Sequence, residues 1–205
     1  MTDTLVIFLH GVGSRGADIS GLARVWEARL PDTAFAAPDG PQAFDQGGAG
    51  RQWFSVSGVN KANRAERIVA ARYEFDRVLE EIVTANGMND RLDRVALVGF
   101  SQGSIMALDG VVSGRWPVGG VLALSGRLAS PAPFAFPAPQ TPLLMINGTV
   151  DPIMPIEEAR LAEERLVNAG YNAELAVIDG LGHTVTREAA DIGGVFLANL
   201  FGQKG

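Results

Sequence analysis

Four short apolar runs constrain the fold of this chain more than any other feature of its sequence. They are separated by longer segments of helical periodicity and comprise residues 5–9, 94–98, 120–124 and 143–146. Because apolar residues follow one another here instead of alternating with polar ones, the runs are typical of strands covered on both faces. Two further stretches, 33–37 and 174–178, are expected to form edge or near-edge strands.

Amphipathic helices are predicted between these strands. Apolar residues recur at helical spacing over 68–82, and Asn86 and Gly87 mark the end of that helix. A second helix is expected within 155–170, and a last one from about 185 to 200. Strands that alternate with helices form βαβ units, so we predict an α/β fold with a mostly parallel sheet and helices on both faces.

Two stretches of the chain have no regular pattern. Residues 38–60 are rich in glycine, and residues 130–142 are rich in proline and alanine. Long loops in compact domains are usually functional or disordered. The first stretch follows a predicted strand, so it is expected beside the ligand crevice at the carboxyl ends of the strands.

The composition narrows the functional classes. The 205 residues suit one domain, 1–205. A formal net charge of −6 and the lack of a Lys/Arg cluster argue against binding to nucleic acid or to anionic membranes. The absence of cysteine excludes disulfides, thiolate metal sites and a cysteine nucleophile. With no signal-peptide pattern and no apolar stretch near the ~20 residues of a membrane span, we expect a cytoplasmic protein without integral membrane association.

A candidate nucleophile lies in the segment Gly99–Gly103, which has the pattern G-x-S-x-G around Ser101. The pattern alone is weak, but here it follows a predicted strand and precedes a helix-like run at 104–108. That order is the strand–turn–helix of a nucleophile elbow, in which glycines allow a tight turn. The alternative is an ordinary glycine-rich turn between a strand and a helix.

A serine hydroxyl needs a base, and few residues can serve. The chain has two histidines, His10 and His183, and two lysines, Lys61 and Lys204. His183 lies between the last predicted strand and the last helix, where a loop of a hydrolase sheet returns to the nucleophile. We therefore predict His183 as the base, with a structural histidine in a turn as the alternative.

The third member of a catalytic triad is expected between serine and histidine in chain order. Asp151 follows the strand that ends near residue 146 and is the preferred candidate. Asp179 is the rival, although it shares a loop with His183 and would need an unusual bend to reach the imidazole. Asp109 would lie within the helix after Ser101 and point elsewhere.

A glycine-rich turn at 9–13 follows the first strand and is expected to help stabilise an oxyanion. Backbone N–H groups held in place are the usual donors, and we predict those of Val12 and Gln102. The stretch 11–16 also matches the dinucleotide pattern G-x-G-x-x-G. We reject that interpretation, because no acidic ribose-binding residue follows on a second strand. His10 is expected to stabilise this loop by hydrogen bonding rather than to act in catalysis.

Six short motifs follow one another along the chain and contain the candidate triad and oxyanion residues. The motifs are 9–13, 37–41, 50–54, 99–103, 148–152 and 182–183. Together they resemble the phospholipase/carboxylesterase family of small serine esterases, which also includes acyl-protein thioesterases. The resemblance spans nearly the whole chain.

The resemblance implies an α/β-hydrolase fold with no separate cap domain and with no cofactor or metal. The implied substrates are carboxylic esters, with thioesters as an alternative. The implied site residues are Ser101, Asp151 and His183 as the triad, Val12 and Gln102 as oxyanion donors, and Trp53 as a wall of the substrate cleft.

The chain departs from the family pattern at several positions outside the triad. Asn147 stands where the family usually has histidine, Ser104 replaces a common glycine, and the sequence at 53–56 differs from the usual Trp-Tyr-Asp-Ile type. The last change is nearest the cleft and bears on substrate preference. Without the resemblance, Trp53 and Phe54 could be core aromatics.

We therefore predict a serine carboxylesterase that hydrolyses small or medium-chain esters through an acyl-enzyme. An open, shallow cleft is expected between the loops around Trp53 and the apolar residues Ile153 and Met154. The expected partner is a small-molecule ester or thioester, and the sequence does not predict an oligomeric state. Acyl thioesterase and lysophospholipase activities are the alternatives, and a binding protein on a hydrolase scaffold is the rival from another class.

Overall fold

Eight strands are present in the computed structural model, which describes residues 2–135 and 141–202. In chain order the strands are β1 (Thr4–Leu9), β2 (Thr33–Ala36), β3 (Gln42–Ala43), β4 (Arg51–Gln52), β5 (Val95–Phe100), β6 (Gly120–Leu124), β7 (Leu143–Gly148) and β8 (Ala173–Ile178). Six of them form one sheet in the order β2-β1-β5-β6-β7-β8, in which every neighbouring pair is parallel. β3 and β4 form a separate antiparallel pair.

Helices connect the strands of the large sheet. They are α1 (Gly16–Ile19), α2 (Gly21–Trp26), α3 (Arg64–Ala85), α4 (Gln102–Val112), α5 (Ile156–Asn168) and α6 (Arg187–Leu200), and a 3₁₀ turn covers Leu92–Arg94. No helix in the described part of the chain is long and apolar enough to cross a bilayer.

The sheet is covered on both faces, which explains the apolar runs. In β1, the side chains of Leu5, Ile7 and Leu9 belong to one buried cluster together with residues of α3, α4 and α5. The intervening Val6 and Phe8 belong to a second cluster on the opposite face, formed with α2 and α6. Successive side chains of a strand point to opposite faces, so a strand buried on both sides must be apolar throughout.

The strand order places a topological switch point between β1 and β5. From β1 the chain crosses to β2 on one side, whereas all later strands of the large sheet are added on the other side, beginning with β5. Loops that leave the carboxyl ends of strands at such a point diverge and open a crevice for ligands. The loop after β1 and the turn after β5 both lie at this position.

The predicted α/β fold, its central strands and both edge strands are confirmed. The sequence did not predict α1, α2 or the β3–β4 pair, which lies inside the stretch 38–60 that was expected to be irregular. Part of the other irregular stretch, residues 136–140, and Lys204 lie outside the described residues.

Candidate active site

Ser101 lies in a strained turn between β5 and α4. Its φ of 53° and ψ of −114° are unfavourable for a residue with a side chain. The turn is so tight that a β-carbon would not fit at either flanking position, and both positions are glycine. A Cβ on Gly99 would lie 2.4 Å from the backbone nitrogen of Ser104, and one on Gly103 would lie 2.0 Å from the carbonyl oxygen of Leu9. This conformation is the geometry of a nucleophile elbow.

Ser101, His183 and Asp151 form a continuous chain of hydrogen bonds. The Oγ of Ser101 lies 2.9 Å from Nε2 of His183. The Nδ1 of the same imidazole lies 2.8 Å from Oδ2 of Asp151. When Nδ1–H donates to the carboxylate, Nε2 is free to accept the serine proton, which is the arrangement that activates a hydroxyl. The structure thus brings together the three side chains predicted as the triad.

Asp151 is fixed by its own loop. Its side chain is fully buried, and Oδ1 accepts hydrogen bonds from the N–H groups of Ile153 at 2.8 Å and Met154 at 2.9 Å. Burial by itself would raise the pKa of the Asp151 carboxyl. The N–H groups of Met154 and Ile153 and the imidazole of His183 outweigh burial, so this pKa lies below its usual range. The carboxylate is therefore charged at neutral pH.

The rival acids lie elsewhere. Asp179 is exposed in the turn after β8, where its Oδ1 accepts a hydrogen bond from Thr149 Oγ1 at 2.9 Å. Asp109 lies in α4 and is buried between two guanidinium groups, those of Arg72 and Arg115. Neither carboxylate contacts the imidazole of His183.

The loop after β1 passes directly against Ser101. A Cβ on Gly11 would lie 3.3 Å from the Cβ of Ser101. The next residue, Val12, has a backbone N–H with no acceptor among residues 2–135 and 141–202. Gln102 is the first residue of α4, and the N–H groups of a first helical turn have no partner within their helix. Of the two residues predicted as oxyanion donors, Gln102 thus lies next to Ser101 in the chain and Val12 lies in the loop that contacts it, and their role in binding an oxyanion stays a prediction.

His10 holds this loop in place. Its Nε2 accepts a hydrogen bond from the N–H of Gly40 at 2.8 Å, so Nδ1 carries the proton and donates to the carbonyl of Gly11 at 2.7 Å. Burial lowers the pKa of the His10 imidazole, which keeps it neutral. Both ring nitrogens are occupied, so His10 has the loop-stabilising contacts expected from the sequence. Lys61, one of the two lysines considered as an alternative base, is exposed at the protein surface.

Trp53 lies in the protein core. Its exposed fraction is 0%, its indole N–H donates to the carbonyl of His10 at 2.9 Å, and its ring packs edge-on against Phe75. The prediction that Trp53 forms a wall of the substrate cleft is therefore wrong. The alternative that Trp53 and Phe54 are core aromatics is correct, since Phe54 is also buried. Met154 is only 6% exposed, and its contact with substrate stays a prediction.

Two site residues have contacts that the sequence did not reveal. The side-chain amide of Gln102 pairs with the backbone of residues 53–54, and this contact has no signature beyond the elbow motif itself. Arg127, in the loop after β6, donates hydrogen bonds to the carbonyl of Ile153 and to the sulfur of Met154. It also pairs with Glu158 of α5 at 2.6 Å. Arg127 thus braces the loop that holds Asp151.

A groove of about 500 Å³ borders the site on the side of His183. Its walls come from α1 and α2, from Gly11 and Phe100, and from the loop and first turn that follow His183. The ring of Phe100 lies against the imidazole of His183, with 5.0 Å between the ring centres. The cleft was expected between the loops around Trp53 and the segment beyond Asp151, whereas neither segment lines this groove.

Comparison with known proteins yields consistent matches. The profile of the Phospholipase/Carboxylesterase family matches residues 2–198. Esterase YpfH of Escherichia coli K12 is 31% identical over 181 residues, which cover 88% of this chain and 76% of the relative. Acyl-protein thioesterase 1 of Gibberella zeae is 28% identical, with coverage of 91% and 86%.

Solved structures agree with the sequence matches. The crystal structure of esterase PE8 superposes with a TM-score of 0.85 at 28% identity, covering 97% of this chain and 93% of that one. The carboxylesterase of Bacillus cereus superposes with a TM-score of 0.81 at 18% identity, covering 98% and 91%, and supports the fold alone. The architecture is therefore that of the α/β-hydrolase esterases.

Proposed function

Because this chain belongs to the phospholipase/carboxylesterase family, we propose that it is a carboxylesterase in which Ser101 is the nucleophile, His183 the base and Asp151 the orienting acid. The observation that carries this assignment is the hydrogen-bond chain from Ser101 Oγ through the His183 imidazole to Asp151, at 2.9 and 2.8 Å. We assign the activity to one domain, 1–205, because all three residues follow strands of one sheet.

Acylation begins when Nε2 of His183 takes the hydroxyl proton of Ser101 and the serine oxygen attacks the ester carbonyl. The negative charge that develops on the carbonyl oxygen is stabilised by the N–H groups of Val12 and Gln102, the latter at the positive end of α4. The protonated imidazole then gives its proton to the departing oxygen. The products of this half-reaction are a free alcohol and an acyl group esterified to Ser101.

Deacylation repeats the sequence with water. His183 takes a proton from a water molecule, which attacks the acyl-enzyme, and the carboxylic acid leaves as Ser101 regains its proton. Throughout, Asp151 fixes the imidazole tautomer and stabilises its charged form. The groups named here suffice for this chemistry without a metal or a cofactor.

The substrate class is a small or medium-chain carboxylic ester. A thioester is the alternative, since the chain resembles both an esterase and acyl-protein thioesterases over most of its length. The same acyl-enzyme forms from either substrate, so the triad does not distinguish them. The thioesterase alternative is tested by comparing kcat/KM for an ester and a thioester with the same acyl group.

A fluorophosphonate probe tests the nucleophile, since only a base-activated serine reacts with it quickly. Mass spectrometry of the labelled protein is expected to find the adduct on Ser101. Ser101→Ala should abolish labelling and ester hydrolysis, whereas Ser113→Ala, which changes a serine at the far end of α4, should keep both. Labelling that persists in Ser101→Ala would show that another residue is the nucleophile.

A further inference from the structure

We propose that the groove beside His183 binds the leaving group of the substrate and selects an uncharged, apolar alcohol or thiol. This inference rests on the proposed function, since a leaving group exists only if Ser101 becomes acylated. It assigns to α1 and α2, two helices outside the catalytic hydrogen-bond chain, the role of recognising the half of the substrate that departs first.

The position of the groove follows from the path of the proton. His183 must deliver its proton from Nε2 to the departing atom, which has to lie about 2.6–3.2 Å from that nitrogen. The departing group therefore extends from the imidazole side of Ser101, while the acyl half remains attached to the serine. The groove is lined by His183 and by the residues that follow it up to Arg187, and also by Gly11 and Phe100, which lie next to Ser101.

Six of the side chains that line the groove are apolar. They are Ile19, Leu22, Val25, Phe100, Val185 and Ala190. Four of them are half-buried, with one face packed on the core cluster beneath the groove, so the other face is held in place for a ligand. The volume of about 500 Å³ lies in the range of small-molecule pockets, roughly 300–1,000 Å³.

The charged side chains Asp18 and Arg187 of the groove already have hydrogen-bond partners. Asp18 accepts hydrogen bonds from the hydroxyl of Ser14 at 2.7 Å and from the N–H of Arg15 at 2.8 Å. Arg187 pairs with Asp191 along the first turn of α6 at 3.1 Å. An anionic leaving group would thus find no unpaired cationic side chain among the described lining residues, and burying its charge would be unfavourable. An uncharged aryl or branched alkyl alcohol fits the apolar surface.

Gly21 allows the groove to be filled without disturbing the core. It is the first residue of α2, it lines the groove, and a Cβ built on it has no atom within 4 Å. Gly21→Leu should therefore narrow the groove while leaving the helix intact. Val25, which is 42% exposed, offers a second site, where Val25→Gln replaces apolar surface by an amide. Val177→Gln is the matched control, because Val177 is 40% exposed on β8 and lies outside the groove.

The first measurement is kcat/KM for esters that share one acyl group and differ in the alcohol, from methyl to phenyl and naphthyl. The wild-type protein should prefer the larger apolar alcohols. Gly21→Leu should reduce that preference, measured relative to the methyl ester, by about tenfold, and Val25→Gln should reduce it by less. Because all these esters form the same acyl-enzyme, they share one deacylation rate in each protein. The leaving group has left the groove by that step, so neither variant should change this rate.

The second measurement uses alcohols as acceptors, since the acyl-enzyme reacts with an added alcohol by the reverse of acylation. The oxygen of methanol or benzyl alcohol attacks the acyl carbon, its proton passes to His183 and from there to the oxygen of Ser101, and Ser101 leaves as a new ester forms. The ratio of transfer to hydrolysis should be higher for benzyl alcohol than for methanol in the wild-type protein. Gly21→Leu should lower the ratio for benzyl alcohol, whereas Val177→Gln should leave it unchanged.

Three results would overturn the inference. If Gly21→Leu changes the dependence on acyl length with the alcohol held constant, the groove binds the acyl chain. If neither variant changes the alcohol preference or the transfer ratio while hydrolysis continues, the groove does not bind substrate. If the wild-type protein hydrolyses no ester or thioester and Ser101 is not labelled, the proposed function fails, and the inference fails with it.

Discussion

The side-chain amide of Gln102 is hydrogen-bonded to the backbone of Trp53 and Phe54, which joins the nucleophile elbow to the segment that follows β4. Its Oε1 accepts from the N–H of Trp53 at 2.8 Å, and its Nε2 donates to the carbonyl of Phe54 at 2.7 Å. All of these groups are buried. One residue thus contributes in two ways: its backbone N–H is the proposed oxyanion donor, and its side chain holds a second loop in place.

Gln102→Ala separates these two contributions. The backbone N–H remains, but the N–H of Trp53 and the carbonyl of Phe54 lose their partners in a buried region. Since each unpaired buried group costs about 1–3 kcal/mol and two groups lose their partner, we expect the free energy of unfolding to fall by about 2–6 kcal/mol. Urea unfolding measures this loss, with Gln42→Ala, at a partly exposed position of β3, as the control. An unchanged free energy of unfolding would mean that the amide contacts contribute nothing net.

Arg127→Met tests whether the bracing of the Asp151 loop matters for catalysis. The carbonyl of Ile153 would lose its donor, and the loop whose N–H groups hold Asp151 would be less well fixed. Because small misplacements of catalytic groups are costly, we expect kcat to fall about ten- to a hundredfold. Arg64→Met is the matched control, since Arg64 also contacts Glu158 but is not bonded to the Asp151 loop. Equal losses in both variants would assign the effect to the ion pairs with Glu158.

The acid of the triad is tested by comparing two asparagine variants. Asp151→Asn removes the charge that stabilises protonated His183, and kcat should fall about 10⁴-fold, by analogy with the same change in a serine protease. Asp179→Asn should have little effect, because Asp179 bonds Thr149 in an exposed turn. Circular dichroism checks that both variants fold. A larger loss in Asp179→Asn would reverse the assignment.

His10 is expected to make stability depend on pH. Burial lowers the pKa of its imidazole in the folded protein, whereas the unfolded chain keeps a value near 6.5. Below that pH the unfolded state binds more protons than the folded state, so the free energy of unfolding decreases as pH falls. The decrease ends once the pH is below the folded pKa. His10 therefore contributes fully above about pH 6.5 and progressively less below it.

Urea unfolding between about pH 7.5 and pH 5 measures this dependence. His10→Gln removes the titrating group and keeps an oxygen that can accept from the N–H of Gly40. The variant should be less stable than the wild-type protein at neutral pH, and the difference should shrink as pH falls. A difference that stays constant would show that His10 titrates equally in both states.

The sequence predicted the sheet and the positions of the three polar site residues for a physical reason. Strands buried on both faces must be apolar throughout, and Ser101 and Asp151 each follow such a strand. His183 follows the edge strand β8, so all three residues lie at the carboxyl edge of the sheet. Local sequence is therefore sufficient to predict these strands and the site residues that follow them. The helices α1 and α2 were missed because they start at Gly16 and Gly21, and glycine is a poor helix former.

The groove and the contacts of Arg127 with the Asp151 loop could not be predicted from local sequence. The groove depends on the packing of 19–25 against 183–190, which are far apart in the chain. Arg127 acts through contacts with the loop after β7 and with α5, and no motif marks it. Such features arise from tertiary packing, on which a local pattern carries no information.

Trp53 shows how a motif position can be assigned to the wrong environment, and its substitutions test the corrected assignment. Trp53→Ala should lower the free energy of unfolding by about 3–5 kcal/mol, because it leaves a large cavity beside Phe75. Trp53→Phe keeps most of the packing but leaves the carbonyl of His10 without its donor, so we expect the free energy of unfolding to fall by about 1–3 kcal/mol.

The decisive measurement for Trp53 is the ratio of kcat/KM for butyrate and palmitate esters of one chromophore. A cleft wall would change this ratio on truncation, whereas a core residue should not, so Trp53→Phe should keep the wild-type ratio. A flattened ratio in a fully folded Trp53→Phe variant would return the indole to the substrate cleft.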